Sequence, residues 1–412
     1  MPCEGATGRK NSHSLNQLHE KERQTMKFMG YRRTDGSVGI RNHVIIIPSV
    51  VCANRVARGI SQLVTGATWV EHQHGCTQLG ADAALTRQVI VAHGTHPNVY
   101  GVVVVGLGCE TLRAQDMAAE IKETCPDKPV HLVIIQDEGG SVKAIAAGAS
   151  AAREMVGGAS SMERTPSDVA ELILGTECGG SDACSGISAN PALGVACDLL
   201  IDAGGSVILA ETTELIGAEH LIAARAVSEQ VAARCYDVIR RCEDSAKAMG
   251  VDMRGGQPTP GNIEGGLSSI EEKSLGCIYK AGTKPLQDVI DYAMPVTKKG
   301  LVWMDTPGQD IEQLTGMVAG GCHIVVFTTG RGTCCGSPIV PAIKVATNTA
   351  IFEKMKDNMD MNSGTIITGH ESIPQVGKRI FAEIVQVASG KLVRAESLGF
   401  NDFAIKRIGP SM

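Results

Sequence analysis

Short, uninterrupted apolar runs, each separated from the next by a helix-length segment, restrict this chain more than any other feature. His43 to Val51 is one such run, Val99 to Val105 a second and Val130 to Ile135 a third. Runs without polar alternation suit strands buried on both faces, as in a parallel sheet covered by helices on either side. The intervening segments, about 53–64, 81–93, 112–124 and 141–156, read as crossover helices, and such crossovers are right-handed. A further strand is expected at 68–72. Ahead of the first long run, Asp35-Gly36 is the turn signal of a hairpin across Tyr31 to Gly39.

The segment 157–168, rich in Gly, Ser, Thr and Pro, reads as a linker, after which the alternation resumes. Strands are expected at 170–174, 206–210, 300–304, 323–328 and 365–367, with a helix at 191–203 and long helical stretches to about 250. The fold class is therefore α/β, in two lobes with mostly parallel sheets: an N-terminal α/β domain at 26–156 and a larger C-terminal one at 169–412. Residues 1–25 are polar, lack periodicity and are expected to be a disordered extension or an expression remnant. A chain of 412 residues can fill two cores.

Composition removes several classes of function. The net charge of -6, with no basic cluster interleaved with aromatics, argues against nucleic acid as a partner. No apolar stretch reaches the roughly 18 residues of a membrane span, and no secretory signal opens the chain, so a cytoplasmic location is expected. The 14 cysteines are scattered through a large Gly- and Ala-rich chain, which reads as reduced thiols and not as a disulfide framework. Nucleotide motifs fail: Thr111 and Cys335 stand where Gly106-Leu107-Gly108 and Gly330-Arg331-Gly332 would need a third glycine, and no Gly-Lys pair precedes Ser or Thr. There is no C-x-x-C pair and no G-x-S-x-G elbow.

What remains is a set of cysteines beside glycines at the ends of apolar runs: Cys76, Cys109 and Cys178. The carboxyl ends of strands are where an α/β sheet builds its site, and a thiolate there can hold a metal or attack a carbonyl. His72 and His74 precede Cys76 at a strand-like spacing that puts both on one face. Imidazole with thiolate suits iron or zinc, as one Fe²⁺ or, with three thiolates, an iron–sulfur cluster. Nearby loops offer groups for a polyhydroxy acid: Ser181, Asp182, Ser188 and Asn190 after Cys178, with Arg331 and Lys344 as cations for a carboxylate. Glu211 and Glu214 follow a strand and are base or metal-ligand candidates. Cys125, Cys197, Cys235, Cys242 and Cys277 read as inert buried thiols, and Cys334 and Cys335 stand outside the set. A cysteine-nucleophile amidase built on Cys76, and a non-enzymatic metal-binding protein, are the competing readings.

Several long strings resemble the altronate/galactarate dehydratase (UxaA) family. They are Gly36-Ser37-Val38-Gly39-Ile40-Arg41-Asn42, His96-Pro97-Asn98-Val99, Gly106-Leu107-Gly108-Cys109-Glu110, Cys178-Gly179-Gly180-Ser181-Asp182, Ser185 to Pro191, Pro260-Gly261-Asn262, Thr306-Pro307-Gly308, Phe327 to Thr333 and Ile343 to Asn348. The resemblance implies a β-eliminating lyase that needs iron and reducing conditions and converts a 2-hydroxy acid to a 2-oxo acid. It implies a variant Rossmann-like C-terminal domain, a preceding domain used for a homodimer, and metal cysteines at Cys76, Cys109 and Cys178, to which the reading of the residues themselves adds His72 as a ligand. Glu211 or His74 would be the base, with Asp182 beside them. Only a short polar extension precedes the catalytic part, which is similar to the large subunit of (2R)-sulfolactate sulfo-lyase. That likeness implies sulfite as the leaving group and a separate small β-rich subunit.

Overall fold

The computed structural model describes residues 26–409, so the expected extension at 1–25 lies outside the described residues. The Asp-Gly turn forms the hairpin it predicts, with β1 (Lys27–Arg32) antiparallel to β2 (Val38–Gly39) and Tyr31 opposite Gly39. Then follow β3 (His43–Pro48), α1 (Asn54–Leu63), β4 (Ala67–Trp69), α2 (Gly80–Thr95), β5 (Val99–Gly106), α3 (Ala114–Thr124), β6 (Val130–Ile134) and α4 (Ser141–Ser160). The four strands form a parallel sheet of order β4-β3-β5-β6.

The segment expected as a linker is largely ordered. Residues 157–160 complete α4, and β7 (Thr165–Asp168) pairs antiparallel with β1, Lys27 opposite Asp168. The chain continues through β8 (Ile173–Cys178), α5 (Ala189–Asp202), β9 (Ser206–Leu209), α6 (Glu229–Ala248), α7 (Ile270–Ile278), β10 (Leu286–Ile290) and β11 (Gly300–Met304). It ends with α8 (Asp310–Ala319), β12 (Ile324–Thr329), β13 (Ala342–Ala346), β14 (Met361–Asn362) and α9 (Ile373–Ala388). All seven strands are parallel, in the order β10-β11-β9-β8-β12-β13-β14.

Three departures from the sequence pattern have physical causes. β8 starts later than 170 because Asp168 caps a 3-10 turn over Val169–Glu171, its carboxylate accepting from the Ala170 N–H. The shift carries Glu177 and Cys178 into the strand. β10 and β13 are strands that the apolar pattern does not announce, since Gln287, Asp288 and Lys344 interrupt them. Residues 365–367, expected as a strand, form a turn after β14.

Alternation along β3 assigns its two faces. Val44 and Ile46 pack with Val56, Ile60 and Ala144, whereas Ile45 and Ile47 join a core with Val102, Val104 and the C-terminal residues Ile208, Met304, Met317 and Val325. The lobes thus share one hydrophobic core. Burying four such side chains at roughly 1.5–3 kcal/mol each makes separation cost on the order of 10 kcal/mol.

A polar seam runs beside that core through Asn98, which is fully buried. Its amide accepts from the Ile40 N–H at 2.8 Å and donates to the carbonyls of His323 at 3.2 Å and Ile339 at 3.0 Å. Arg41 adds bonds to Glu396 and to the carbonyls of Val387 and Lys391. Asn98→Ala would leave three buried backbone groups unpaired and is expected to lower unfolding stability by about 3 kcal/mol. Urea denaturation followed by far-UV circular dichroism should show this as a lower midpoint, still in one transition for both lobes.

Candidate active site

Strand order locates the site before any side chain is considered. The C-terminal sheet grows from β8 outward through β9 on one side and through β12 on the other, so β8 and β12 flank the topological switch point where open α/β sheets bind ligands. Cys178 is the last residue of β8 and lies opposite Thr328 of β12.

Four buried side chains meet there: Cys178, Glu211, Glu214 and Cys277. Among the described residues they are the one group of three or more His, Cys, Asp or Glu whose donor atoms all lie within 4.8 Å of one another. Cys178 Sγ is 3.0 Å from Glu214 Oε2, 3.5 Å from Glu211 Oε2 and 3.7 Å from Cys277 Sγ. Two lysines accompany them. Lys280, fully buried, contacts Glu211 and donates to Cys178 Sγ at 3.3 Å, while Lys273 pairs with Glu214 at 2.7 Å.

Local structure explains the convergence. Glu211 follows β9 in a left-handed conformation, φ 69° and ψ 66°, which is uncommon for a residue with a side chain and costs roughly 1–3 kcal/mol. Thr306 holds it, its hydroxyl accepting from the Glu211 N–H at 2.7 Å. Ser269 caps α7 by accepting from the Glu272 N–H, and the helix then carries Lys273 and Cys277 on one face, with Lys280 in the 3-10 turn that follows. The spacing 273, 277, 280 is a single helical stripe aimed at Cys178.

The electrostatics follow from burial and neighbours. The S–H of Cys277 first, then the nearby ammonium of Lys280 and the carboxyl of Glu214, hold the Cys178 thiol well below its ordinary range despite burial. Burial pushes Cys277 well up. Burial and the Cys178 thiolate raise Glu214 to about 8. The donor set of two sulfurs and two carboxylates suits a borderline or soft divalent ion.

A cleft of about 180 Å³ reaches Cys178 from solvent, lined among others by Ser181, Asp182, Asn190, Lys273 and Tyr279. Asp182 is a structural clamp: it accepts from Ser185 at 3.0 Å, Thr347 at 3.0 Å and Asn348 at 3.1 Å, tying the loop after β8 to the end of β13. Ser188 donates to the carbonyls of Cys184 and Thr347, and Asn190 bridges Gly276 and Thr328. The Ser181 carbonyl accepts from Asn262 at 3.0 Å. These polar residues hold the cleft wall together.

Residues 169–411 match the family described as D-galactarate/altronate dehydratase, C-terminal, and residues 30–160 the second domain of D-galactarate dehydratase/altronate hydrolase. The chain belongs to the galactarate/altronate dehydratase family. It is 36% identical over 395 residues to altronate dehydratase of Bacillus subtilis (strain 168), covering 93% of this chain and 78% of that protein. Against (2R)-sulfolactate sulfo-lyase subunit beta of Chromohalobacter salexigens it is 36% identical over 385 residues, 92% and 97% of the two chains. Against galactarate dehydratase (L-threo-forming) of Escherichia coli (strain K12) it is 37% identical over 382 residues, 88% and 73%. These relatives are lyases, and the chain is an enzyme of that class.

Within this family frame, the expected site residues divide. Cys178, Glu211 and Glu214 come together as described, and Cys277, expected to be inert, joins them. Cys76, Cys109 and His72 do not enter that ligand-distance group: they lie past the carboxyl ends of β4 and β5 in the other sheet. There Cys76 and Cys109 are exposed, and the Leu112 N–H donates to the Gly75 carbonyl at 3.0 Å, which joins the two turns. His72 has both ring nitrogens engaged, with Pro48 O at 2.8 Å and the His74 N–H at 3.1 Å, and burial lowers it to about 4. His74 stacks on His72, centroids 6.0 Å apart, and is also lowered by burial. Arg331 is exposed and paired with Glu264 at 2.8 Å. Lys344 is fully buried, with no partner for its Nζ among the described residues. Lys273 and Lys280 were hidden from the apolar pattern, but the Ser269-to-Glu272 helix start followed by the 273/277/280 stripe is a signal that reveals them.

A thiol depressed in the folded protein is charged at every pH above its lowered value. Alkylation of Cys178 by iodoacetamide should therefore stay nearly constant from pH 9 to 6, where an ordinary thiol slows about tenfold per unit below 8. Mass mapping of the labelled peptide checks this, and Lys280→Met should restore a steep fall.

Proposed function

We propose that the chain catalyses β-elimination from a small 2-hydroxycarboxylate, giving a 2-oxo acid, at the Cys178 cluster. The substrate is either a sugar acid of the altronate or galactarate kind, losing water, or (2R)-sulfolactate, losing sulfite. The observation that carries this reading is the meeting of acids, thiols and ammoniums at the switch point of the C-terminal sheet, at the foot of a cleft large enough for such an acid.

Removing a Cα proton near neutral pH needs a base held close to the carbon and positive charge over the developing enediolate. Glu211 is that base. Its carboxylate is fixed by the Cys178 N–H at 3.3 Å and by Lys280, and the strained turn behind it keeps it facing the cluster. Lys273, on the cleft wall, takes the substrate carboxylate and turns the Cα–H toward Glu211. Cys178, Cys277 and Glu214 would hold a divalent metal, Fe²⁺ in this reading, which when bound supplies Lewis-acid polarisation of the substrate's carboxylate and 2-hydroxyl. Departure of hydroxide or sulfite from the β-carbon and tautomerisation of the enol complete the reaction. Burial of the cluster keeps bulk water from the enediolate.

The relative named subunit beta supports assembly with a second kind of chain, and homodimerisation through the N-terminal lobe is the other expected contact. Among the described residues no helix is long and apolar enough to cross a membrane.

The decisive experiment is an anaerobic elimination assay offering altronate, galactarate and (2R)-sulfolactate, with and without Fe²⁺ and with chelator. One of these should yield 2-oxo acid in a metal-dependent way; no product from any of them, in iron-loaded protein, overturns the reading. Glu211→Gln should lower kcat by about 10²–10⁴-fold. Lys273→Met should act mainly by raising KM, and an unchanged KM would remove Lys273 from carboxylate binding.

A further inference from the structure

Strand β8 ends in two ionisable side chains that point to opposite faces of the sheet, because successive residues of a strand alternate. Cys178 faces the thiol cluster. Glu177, in register with Phe327 of β12, faces the helix α8 side. It is fully buried, and neither carboxylate oxygen has a partner among the described residues.

On the same face, α8 brings two more side chains with oxygen atoms. Gln313 is fully buried; its Nε2 lies 3.5 Å from the Thr176 carbonyl, which fixes the amide beside β8, and its Oε1 has no partner among the described residues. Asp310 lies against Gly179, two residues beyond Glu177 on the same face. A Cβ at Gly179 would sit 2.7 Å from Asp310 Oδ2 and 2.8 Å from the Phe327 ring, so the glycine leaves room for the carboxylate. After burial, the charge of Asp310 is the largest influence raising Glu177. Lys280, whose charge reaches Glu177, makes its contacts on the Cys178 face with Glu211 and Cys178, and Lys273 stands on that face beside Glu214.

Buried polar atoms without partners are rare, and the orphaned oxygens of an acid and an amide, with the carboxylate of Asp310 on the same patch, mark a place for a cation. We propose that Glu177, Asp310 and the side-chain carbonyl of Gln313 bind one hard divalent cation, of the Mg²⁺ or Mn²⁺ class, on the α8 side of β8. An all-oxygen set selects such ions, just as the sulfur-rich set on the other face selects softer ones. Two carboxylates neutralise the charge of one divalent ion. Asp310 is only partly buried and adjoins the exposed Gly308 and Gln309, which gives the ion a way in. The bound cation ties the carboxyl end of β8 to the start of α8 and so positions Cys178, its neighbour in the chain.

Chelator-stripped protein titrated with Mn²⁺ and followed by electron paramagnetic resonance tests this. Wild type and the Cys178→Ser/Cys277→Ser variant should each bind one Mn²⁺ that Mg²⁺ displaces, and Glu177→Gln and Asp310→Asn should bind it at least tenfold more weakly. Absence of a Mg²⁺-displaceable Mn²⁺ in wild type, or unchanged affinity in both acid variants, overturns the proposal. If Glu177→Gln does not fold by near-UV circular dichroism, the partly buried Asp310→Asn decides alone. The thiol variant separates this site from the elimination chemistry, since it should lose turnover while keeping its Mn²⁺.

Discussion

The buried ammonium of Lys280 is the contact on which the C-terminal lobe is organised. It has no solvent exposure, so its charge is tolerable only where anions meet it, and Glu211 and Cys178 are those anions. To bring them together the chain must end β8 and β9 at the same level, strain the backbone at Glu211, and carry α7 across the sheet edge. The packing beneath is correspondingly tight. A Cβ at Gly194 of α5 would fall 2.2 Å from the Tyr279 carbonyl, so only glycine lets α5 support the turn that holds Lys280. Cys197, one helical turn on, has its Sγ 3.2 Å from the Lys280 carbonyl.

The charge balance around this contact explains the rest of the site. Cys178, Glu211, Glu214, Glu177 and Asp310 are acidic groups within one neighbourhood, and Lys273 and Lys280 are the ammoniums among them. Burial first, and then the charge of a neighbouring acid or of the Cys178 thiolate, raises Glu177, Asp310 and Glu214, whereas the Cys277 thiol and then Lys280 lower Cys178. Acidic groups outnumber ammoniums in this neighbourhood, which is the balance that the proposed cation sites require.

Much of this was legible in the sequence, and the exceptions have a common cause. Local apolar runs and glycines announced the two sheets, the hairpin and the placement of Cys178, Glu211 and Glu214 at strand ends. The strings Ile40-Arg41-Asn42 and His96-Pro97-Asn98, which carried the family resemblance, supply Arg41, His96 and Asn98 to the seam between lobes. Thr306, Asn262, Thr347 and Asn348 proved to be the braces of Glu211 and of the loop after β8. What local pattern did not show was pairing over long separations. Cys277 lies 99 residues from Cys178 and looks like any helical thiol. Cys76 and Cys109 have the same strand-end context as Cys178, yet they belong to a different sheet, because context identifies a strand end without saying which sheet it ends.

The shared core has a mechanical consequence. Ile45 and Ile47 of one lobe and Met317 and Val325 of the other are parts of a single apolar mass, fastened at its edge by Asn98. Two bodies joined that way cannot act as jaws, since opening them would bare the mass to water. The way to Cys178 is the rim of the cleft, where Ile187 and Tyr279 stand largely exposed. The mouth of that cleft is framed by a few side chains of the C-terminal lobe, and no part of it is drawn from the shared core.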